Sequence, residues 1–359
     1  MRSGPAIVSA ALLGVWLCAQ PANASIADVK RAFQSGQYFT AARIAFNDAN
    51  RDSVPSEKAM SYAWATESLV HAGLDQAAVY FFIRTLQFQD RAASRKVLEL
   101  TSFFIDRAGP DLLKKFLFKY TRPDDYSPEA RNAYHLAFAK DRLLHGDHAA
   151  AIQSAGEVRS GHPLHPLAMQ IRGSAELMLN KPKEALRDFA ICEDAAGRRN
   201  PSAPGSIEER LQREQPEAVT RKWNELRNNA GADLKARCIA NQARVLYELG
   251  NFEDADRMYG RIPKSSFVWT DTLFEHAWNT YAREEFNRSL GKLVSYKSPI
   301  LQFSFNSEID VLMAQSYLAL CLYDDAARIV NEFSGRTGPL AVEVKNFVAS
   351  HPDDARPFF

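Results

Sequence analysis

Charge of one sign is missing from this chain. Its 44 Lys and Arg stand against 43 Asp and Glu in 359 residues. A nucleic-acid binder needs a basic stretch to neutralise phosphates, and anionic lipid attracts only a basic excess. Neither class of partner is expected. Cysteine is sparse, four in all, and no C-x-x-C occurs. H-E-x-x-H, G-x-S-x-G, a Walker sequence and G-x-G-x-x-G are absent, so the common metalloprotease, hydrolase and nucleotide-binding signatures have no counterpart. No stretch alternates with period two long enough to suggest a sheet. Disorder is excluded by composition, with 46% hydrophobic and 24% charged residues.

Long apolar runs are missing too, with one exception at residues 6–19. At about 14 residues it is too short to span a bilayer. It follows Arg2, and Pro21-Ala22-Asn23-Ala24 supplies a helix breaker and an A-x-A site. Residues 1–24 therefore read as a secretory signal peptide cleaved after Ala24. The chain is expected to be periplasmic or secreted, with no integral membrane span after cleavage. Cys18 follows Leu17 rather than a small residue, so lipidation is not expected. Cleavage removes only Arg2 from the charge count, leaving 43 basic and 43 acidic side chains. Cys192, Cys238 and Cys321 stay. Two readings are open, a disulfide with a free buried thiol or three reduced core cysteines, and the second is the plainer.

What the chain does have is an internal repeat. Leu249-Gly250-Asn251-Phe252-Glu253-Asp254-Ala255 places a turn between two apolar-periodic stretches, and an alanine follows five residues after the turn. Ser35-Gly36-Gln37-Tyr38-Phe39-Thr40-Ala41, Leu179-Asn180-Lys181-Pro182-Lys183-Glu184-Ala185 and Leu320-Cys321-Leu322-Tyr323-Asp324-Asp325-Ala326 do the same. The corresponding residues are Ala41, Ala78, Lys114, Ala151, Ala185, Ala218, Ala255, Ser289 and Ala326, spaced by 37, 36, 37, 34, 33, 37, 34 and 37. Eight of these nine rungs are Ala or Ser, the residue types that let two helices cross closely. Gly or Asn at the turn ends the first helix through a left-handed conformation. Phe82, Phe118, Phe189, Tyr259 and Leu293, four after their rungs, share a helical face and fill the space beneath the next repeat. Pro163, Pro263, Pro299 and Pro339 stop the second helices.

The pattern resembles the tetratricopeptide repeat (TPR) family. In residues 236–259, Ala236, Ala243, Leu246, Gly250, Phe252, Ala255 and Tyr259 fall in register, and the small first-helix position recurs at Thr66, Ser102, Ala139, Gly173, Ala243, Ala277 and Ala314. The resemblance covers residues 26–335. It implies an all-α fold, a right-handed α-solenoid of about nine helical hairpins. Residues 25–196 form N-terminal repeats, the turn-rich stretch 197–206 a linker, 207–335 the C-terminal repeats and 336–359 a tail. The first helices of this family line a concave wall that takes partner proteins or peptides. The positions facing it include Arg237, Arg244 and Tyr247 in one repeat, Phe274, Trp278 and Tyr281 in the next, and Gln315 in the last. Rigid aromatics beside arginine are typical interface anchors, although packing between repeats is the plainer account of some of them. Phe267-Val268-Trp269, Leu273-Phe274-Glu275-His276-Ala277-Trp278 and Tyr317-Leu318-Ala319-Leu320-Cys321-Leu322-Tyr323 resemble exported repeat proteins of gliding and predatory deltaproteobacteria. That likeness implies an envelope role.

Other constellations read as structural. Ser289-Leu290-Gly291-Lys292 satisfies S-x-x-K, but Ser289 is a packing rung. His135, His145, His148, His162 and His165 cluster in sequence, yet the loops holding them lie at opposite ends of one hairpin, so solvated loop histidines are expected and no metal. Asp124-Asp125, Glu284-Glu285, Asp324-Asp325 and Asp353-Asp354 mostly adjoin helix starts, where carboxylates cap. No catalytic residue and no cofactor are expected. The expected function is a non-enzymatic envelope scaffold, with membership of a motility complex as its finer form. An outer-membrane or pilus-assembly adaptor is the alternative. A peptidoglycan-modifying enzyme is a lesser one, because 334–359 is too short for a catalytic domain.

Overall fold

Left-handed residues punctuate this chain at one fixed distance from each rung. In the computed structural model, which describes residues 25–51, 54–197, 217–301 and 306–351, the residue five before the rung has positive φ eight times. These are Gly36, Gly73, Gly109, Gly146, Asn180, Gly250, Glu284 and Cys321, with φ between 56° and 79°. In seven of the turns the next backbone N–H closes back on a carbonyl five residues earlier, as in Gln37 to Ala32, Asn251 to Leu246 and Leu322 to Tyr317. That is the Schellman closure of a helix end. The rung's own N–H then makes the first bond of the following helix, as in Ala41 to Gln37 and Ala255 to Asn251. Glu284 and Cys321 hold this backbone despite their side chains, at a cost of about 1 kcal/mol. Glu284→Gly should raise the melting temperature slightly, and an unchanged or lower value would mean that the Glu284 side chain compensates.

All elements are helical among the described residues. They fall into two compact units, one ending at Val97 and one beginning at Leu98. The first unit holds α1 (Ile26–Gln34) with α2 (Tyr38–Arg51), α3 (Pro55–His71) with α4 (Asp75–Gln87), and most of α5 (Arg91–Leu98). One cluster of its core is Val29, Ala32, Ala41, Ala45 and Ala65, sealed by Phe33, Ile44, Trp64 and Phe81.

The second unit begins with a shortened hairpin, α6 (Thr101–Ala108) and α7 (Lys114–Tyr120). Then come α8 (Arg131–Leu144) with α9 (His148–Gly156), α10 (His165–Met178) with α11 (Pro182–Gly197), and α12 (Glu217–Glu248) with α13 (Phe252–Gly260). The last pairs are α14 (Trp269–Ala282) with α15 (Phe286–Tyr296) and α16 (Glu308–Ala319) with α17 (Tyr323–Ser350). The fold is thus an all-α series of stacked helical hairpins, TPR-like in period. Ala41, Ala78, Ala151, Ala185, Ala255, Ser289 and Ala326 are all buried. Lys114, the exception, reaches out to Asp111 at 3.3 Å. No helix among the described residues is long and apolar enough to cross a membrane.

Gly173 shows why the first-helix position must be small. A Cβ built there would lie 2.8 Å from Cε1 of Phe189 and 3.0 Å from Cδ1 and Cζ. Phe189 is itself buried, so the ring has nowhere to turn. Gly173→Ala gains about 1 kcal/mol of helix propensity but overpacks the α10–α11 contact at a cost of about 1–3 kcal/mol. Urea unfolding should show net destabilisation; a more stable variant would mean that the helices part without penalty.

Three expectations are corrected. The rung spacing predicts a separate hairpin at Ala218, but Glu217–Glu248 is one uninterrupted helix. Between Ala218 and Leu246 the only breaker is Gly231, with no proline, and one helical glycine costs too little to end a helix. The proline pattern predicts a stop at Pro339, yet Pro339 lies inside α17, which is helical to Ser350 through much of 336–359. The hydrogen bond that proline forfeits belongs to the carbonyl of Gly335, an exposed residue that water can serve. Third, the cysteines are not all reduced. Cys192 on α11 and Cys238 on α12 are disulfide-bonded, with Cα atoms 5.9 Å apart, and both are buried. Cys321 is free and exposed rather than buried, because it occupies the left-handed turn. The signal segment 1–24, Ala203 and the rest of the linker from Arg198, and Asp353-Asp354 lie outside the described residues.

Candidate partner-binding face

Successive first helices α12, α14 and α16 carry the residues singled out by the repeat phase. Arg237 is exposed on α12 and pairs with Asp233 one turn away at 2.9 Å. Tyr247 is half-buried at the end of the same helix, its ring 5.3 Å from that of Phe252. On α14, Trp278 meets Tyr281 edge-on at 5.8 Å, and Tyr281 meets Phe286 at 5.2 Å. Gln315 stands exposed on α16. Phe274, Trp278 and Tyr281 are each half-buried and pack against the cluster of Leu273, Ala277, Leu293, Leu312 and Met313. One side of each aromatic therefore belongs to the inter-repeat core and the other faces out.

Arg244 is committed to its own protein. Its guanidinium forks onto Glu275 of α14, Nε to Oε2 at 2.9 Å and Nη2 to Oε1 at 2.7 Å, while Nη1 donates to Asn241 Oδ1 at 2.8 Å. The hydrogen bonds it donates to Glu275 raise the arginine pKa further. Tyr259 donates its hydroxyl proton to Glu275 Oε2 at 3.2 Å and stacks on His276 with ring centroids 5.2 Å apart. Burial first, and then the Glu275 charge, push the Tyr259 phenol upward. His276 in turn lies 2.6 Å from Asp256 Oδ1, and Asp256 also takes Arg283 at 3.0 Å and Arg288 at 3.3 Å. Burial pulls the imidazole pKa down. A polar chain thus ties α12, α13, α14 and α15 together and sets the spacing of the aromatic row. Bidentate pairing of this kind fixes geometry as well as energy.

Reading the sequence did not find Glu275, Asp256 or Tyr259 in these roles. A signal existed: Arg244 and Glu275 are 31 residues apart, Lys96 and Glu67 29, Lys140 and Asp111 29, and Arg159 and Glu129 30. Opposite charges at roughly one repeat's spacing mark inter-repeat bridges.

Other chemistry-bearing residues make structural contacts. Ser289 is buried, and its hydroxyl donates to the carbonyl of Ala277 at 3.0 Å. Asp125 accepts the backbone N–H of Arg122 at 2.7 Å as a cap. The reading of the histidines as solvated fails at His162, which is buried. The turn before α10 points its ring inward, where Nδ1 accepts the N–H of Leu164 at 3.1 Å and Nε2 lies 3.2 Å from Glu129. Burial lowers its pKa and favours the neutral ring. His145 is exposed. Among the described residues no three His, Cys, Asp or Glu side chains are placed to hold a metal.

No family model matches this chain, and no curated protein does. Among solved structures, the TPR domain of P58(IPK) aligns at 16% identity over 86% of this chain and 90% of that one, with a TM-score of 0.26. A circular tandem repeat protein with a novel repeat topology aligns at 12% identity over 89% of this chain and 78% of that one, with a TM-score of 0.22. At such scores neither alignment adds weight. The hairpin series rests on the turns, rungs and buried contacts above.

Proposed function

We propose that the mature chain is an exported, non-enzymatic scaffold that holds partner proteins or peptides on the first-helix face of α12, α14 and α16. The observation that carries this reading is the half-exposed row of Tyr247, Phe274, Trp278 and Tyr281, held in place by the Arg244–Glu275 bridge and flanked by exposed Arg237 and Gln315. Rigid aromatics lose little entropy on binding and keep one wet edge. With charges balanced, recognition works by shape more than by long-range steering. Export is supported by the sequence of residues 1–24 and by the Cys192–Cys238 disulfide, a bond that persists in oxidising compartments. The likeness of residues 265–333 to exported deltaproteobacterial repeat proteins supports an envelope partner, and a motility assembly as its finer form.

A photo-reactive residue at Arg237, an exposed position outside the core and away from α16, tests the binding face in cells. Discrete adducts should form there and not from Glu253 or Asn287 on second helices. Equal labelling from both sets, or none from either, would sink the assignment. Export has its own test. The chain purified from the envelope fraction should begin at Ser25 by mass spectrometry, and an intact Met1 in the cytoplasm would refute it.

A further inference from the structure

Each hairpin in the second unit buries on its second helix what the next first helix covers. At the end of α13 and just past it the buried pair is Tyr259 and Ile262, with Val268, Trp269 and His276 against it. On α15 it is Leu293 and Tyr296, packed with Ile309, Leu312 and Met313 of α16. One period later, on α17, the pair is Val330 and Phe333. Val330 is 51% exposed and Phe333 only half-buried. The first helices agree. Phe274 and Tyr281 of α14 pack under the next repeat, whereas their counterparts on α16, Val311 and Leu318, are 46% and 51% exposed. Among the described residues nothing covers this stacking surface.

The same chain carries a helix suited to cover it. Beyond Arg336, which pairs with Asp310 at 2.5 Å, α17 overhangs the start of α16. Over residues 340–350, Leu340, Val344, Phe347 and Val348 fall at i, i+4, i+7 and i+8, one face of a helix. Leu340, Val344 and Val348 are 54%, 52% and 48% exposed. The count also fits: Leu340 lies 17 residues after the start of α17, as Trp269 lies 17 after the start of α13. Residues 340–350 thus occupy the place and pattern of a next first helix. However, α17 continues as one helix through Gly335, Gly338 and Pro339, and that face stays exposed instead of covering the surface it matches. Two copies related by a two-fold axis cover both surfaces of both chains.

We propose that the mature chain forms a two-fold dimer in which residues 340–350 of each copy lie across Val311, Leu318, Val330 and Phe333 of the other. The interface continues the inter-repeat stacking of α15 on α16, with the next first helix supplied in trans.

The test uses the chain from Ser25 to Phe359 with Cys321→Ser as background. Light scattering should give twice the chain mass. Val330→Cys and Val344→Cys variants, mixed and treated with a short bis-maleimide, should yield a heterodimer crosslinked between the two positions. Leu340→Asp/Val344→Asp should be monomeric with helicity and the main unfolding transition unchanged, since both side chains are exposed. A monomeric parent overturns the proposal, as does a chain carrying both cysteines that crosslinks only within itself, the signature of a fold-back at Gly335–Pro339. A dimer that survives Leu340→Asp/Val344→Asp overturns it as well, because the contact would then lie elsewhere.

Discussion

Replacing Cys192 and Cys238 with alanine should lower the stability of the second unit by about 4 kcal/mol, the chain-entropy value for a closed loop of this size. The bridge joins residues 46 apart and ties α11 to α12 across the stretch 198–216. Its effect lies mainly in the unfolded state, where the reduced chain regains the freedom of that loop. Both sulfurs are buried, so a reductant reaches them only when the hairpins open, and reduction of the native protein should be slow. Urea unfolding followed by circular dichroism is the measurement. Oxidised parent, reduced parent and Cys192→Ala/Cys238→Ala should separate, with the last two close together and the first unit's transition unmoved. Coincident curves for all three would show that the bond contributes nothing.

The second large effect concerns Glu176. On α10 it faces Asp188 of α11, whose carboxylate is already taken by Arg172, with Nε to Oδ2 at 2.5 Å. One Glu176 oxygen is buried with no hydrogen-bond partner. Burial, then the Asp188 charge and a shared hydrogen bond, raise the Glu176 pKa from 4.5 to about 7, with Arg172 opposing and Glu184 adding to the rise. A carboxyl whose folded pKa exceeds its unfolded value favours the fold when protonated. Its destabilisation is therefore absent below about pH 4.5, grows through the interval, and is complete above about pH 7. That interval corresponds to at most about 3 kcal/mol. Glu176→Gln keeps the shape and can donate to Asp188. It should stabilise the protein above pH 7 by up to about 3 kcal/mol and lose that advantage as pH falls toward 4.5. A pH-independent difference between variant and parent would mean that Glu176 does not titrate in this range.

How much of this was legible depends on how far each feature reaches along the chain. The rungs and turns are local. Ala255 is small because two helices cross there, and Gly250 is left-handed because a helix ends there, so residue type reports geometry directly. Even so, Glu284 and Cys321 hold the same backbone, and only the period betrays them. Continuity was not legible, since a helix continues through Gly231 or Pro339 unless tertiary packing rewards a turn. The disulfide was hidden for a different reason. Cys192 and Cys238 approach only because α11 packs on α12, and spacing alone cannot show this. The candidate face was half legible. The phase of the repeat picked out Trp278, Tyr281 and Gln315, but it could not show that Arg244 is taken by Glu275, because the partner lies one repeat away.

Under an end-to-end pull the buried disulfide acquires a mechanical meaning. Pulled from its two ends, an unfolding chain lengthens by roughly 3.4 Å per residue released. The 46 residue steps from Cys192 to Cys238 are withheld while the bond is intact, so the oxidised chain extends about 150 Å less than the reduced one. The bridge is thus a stop that caps how far the chain can stretch.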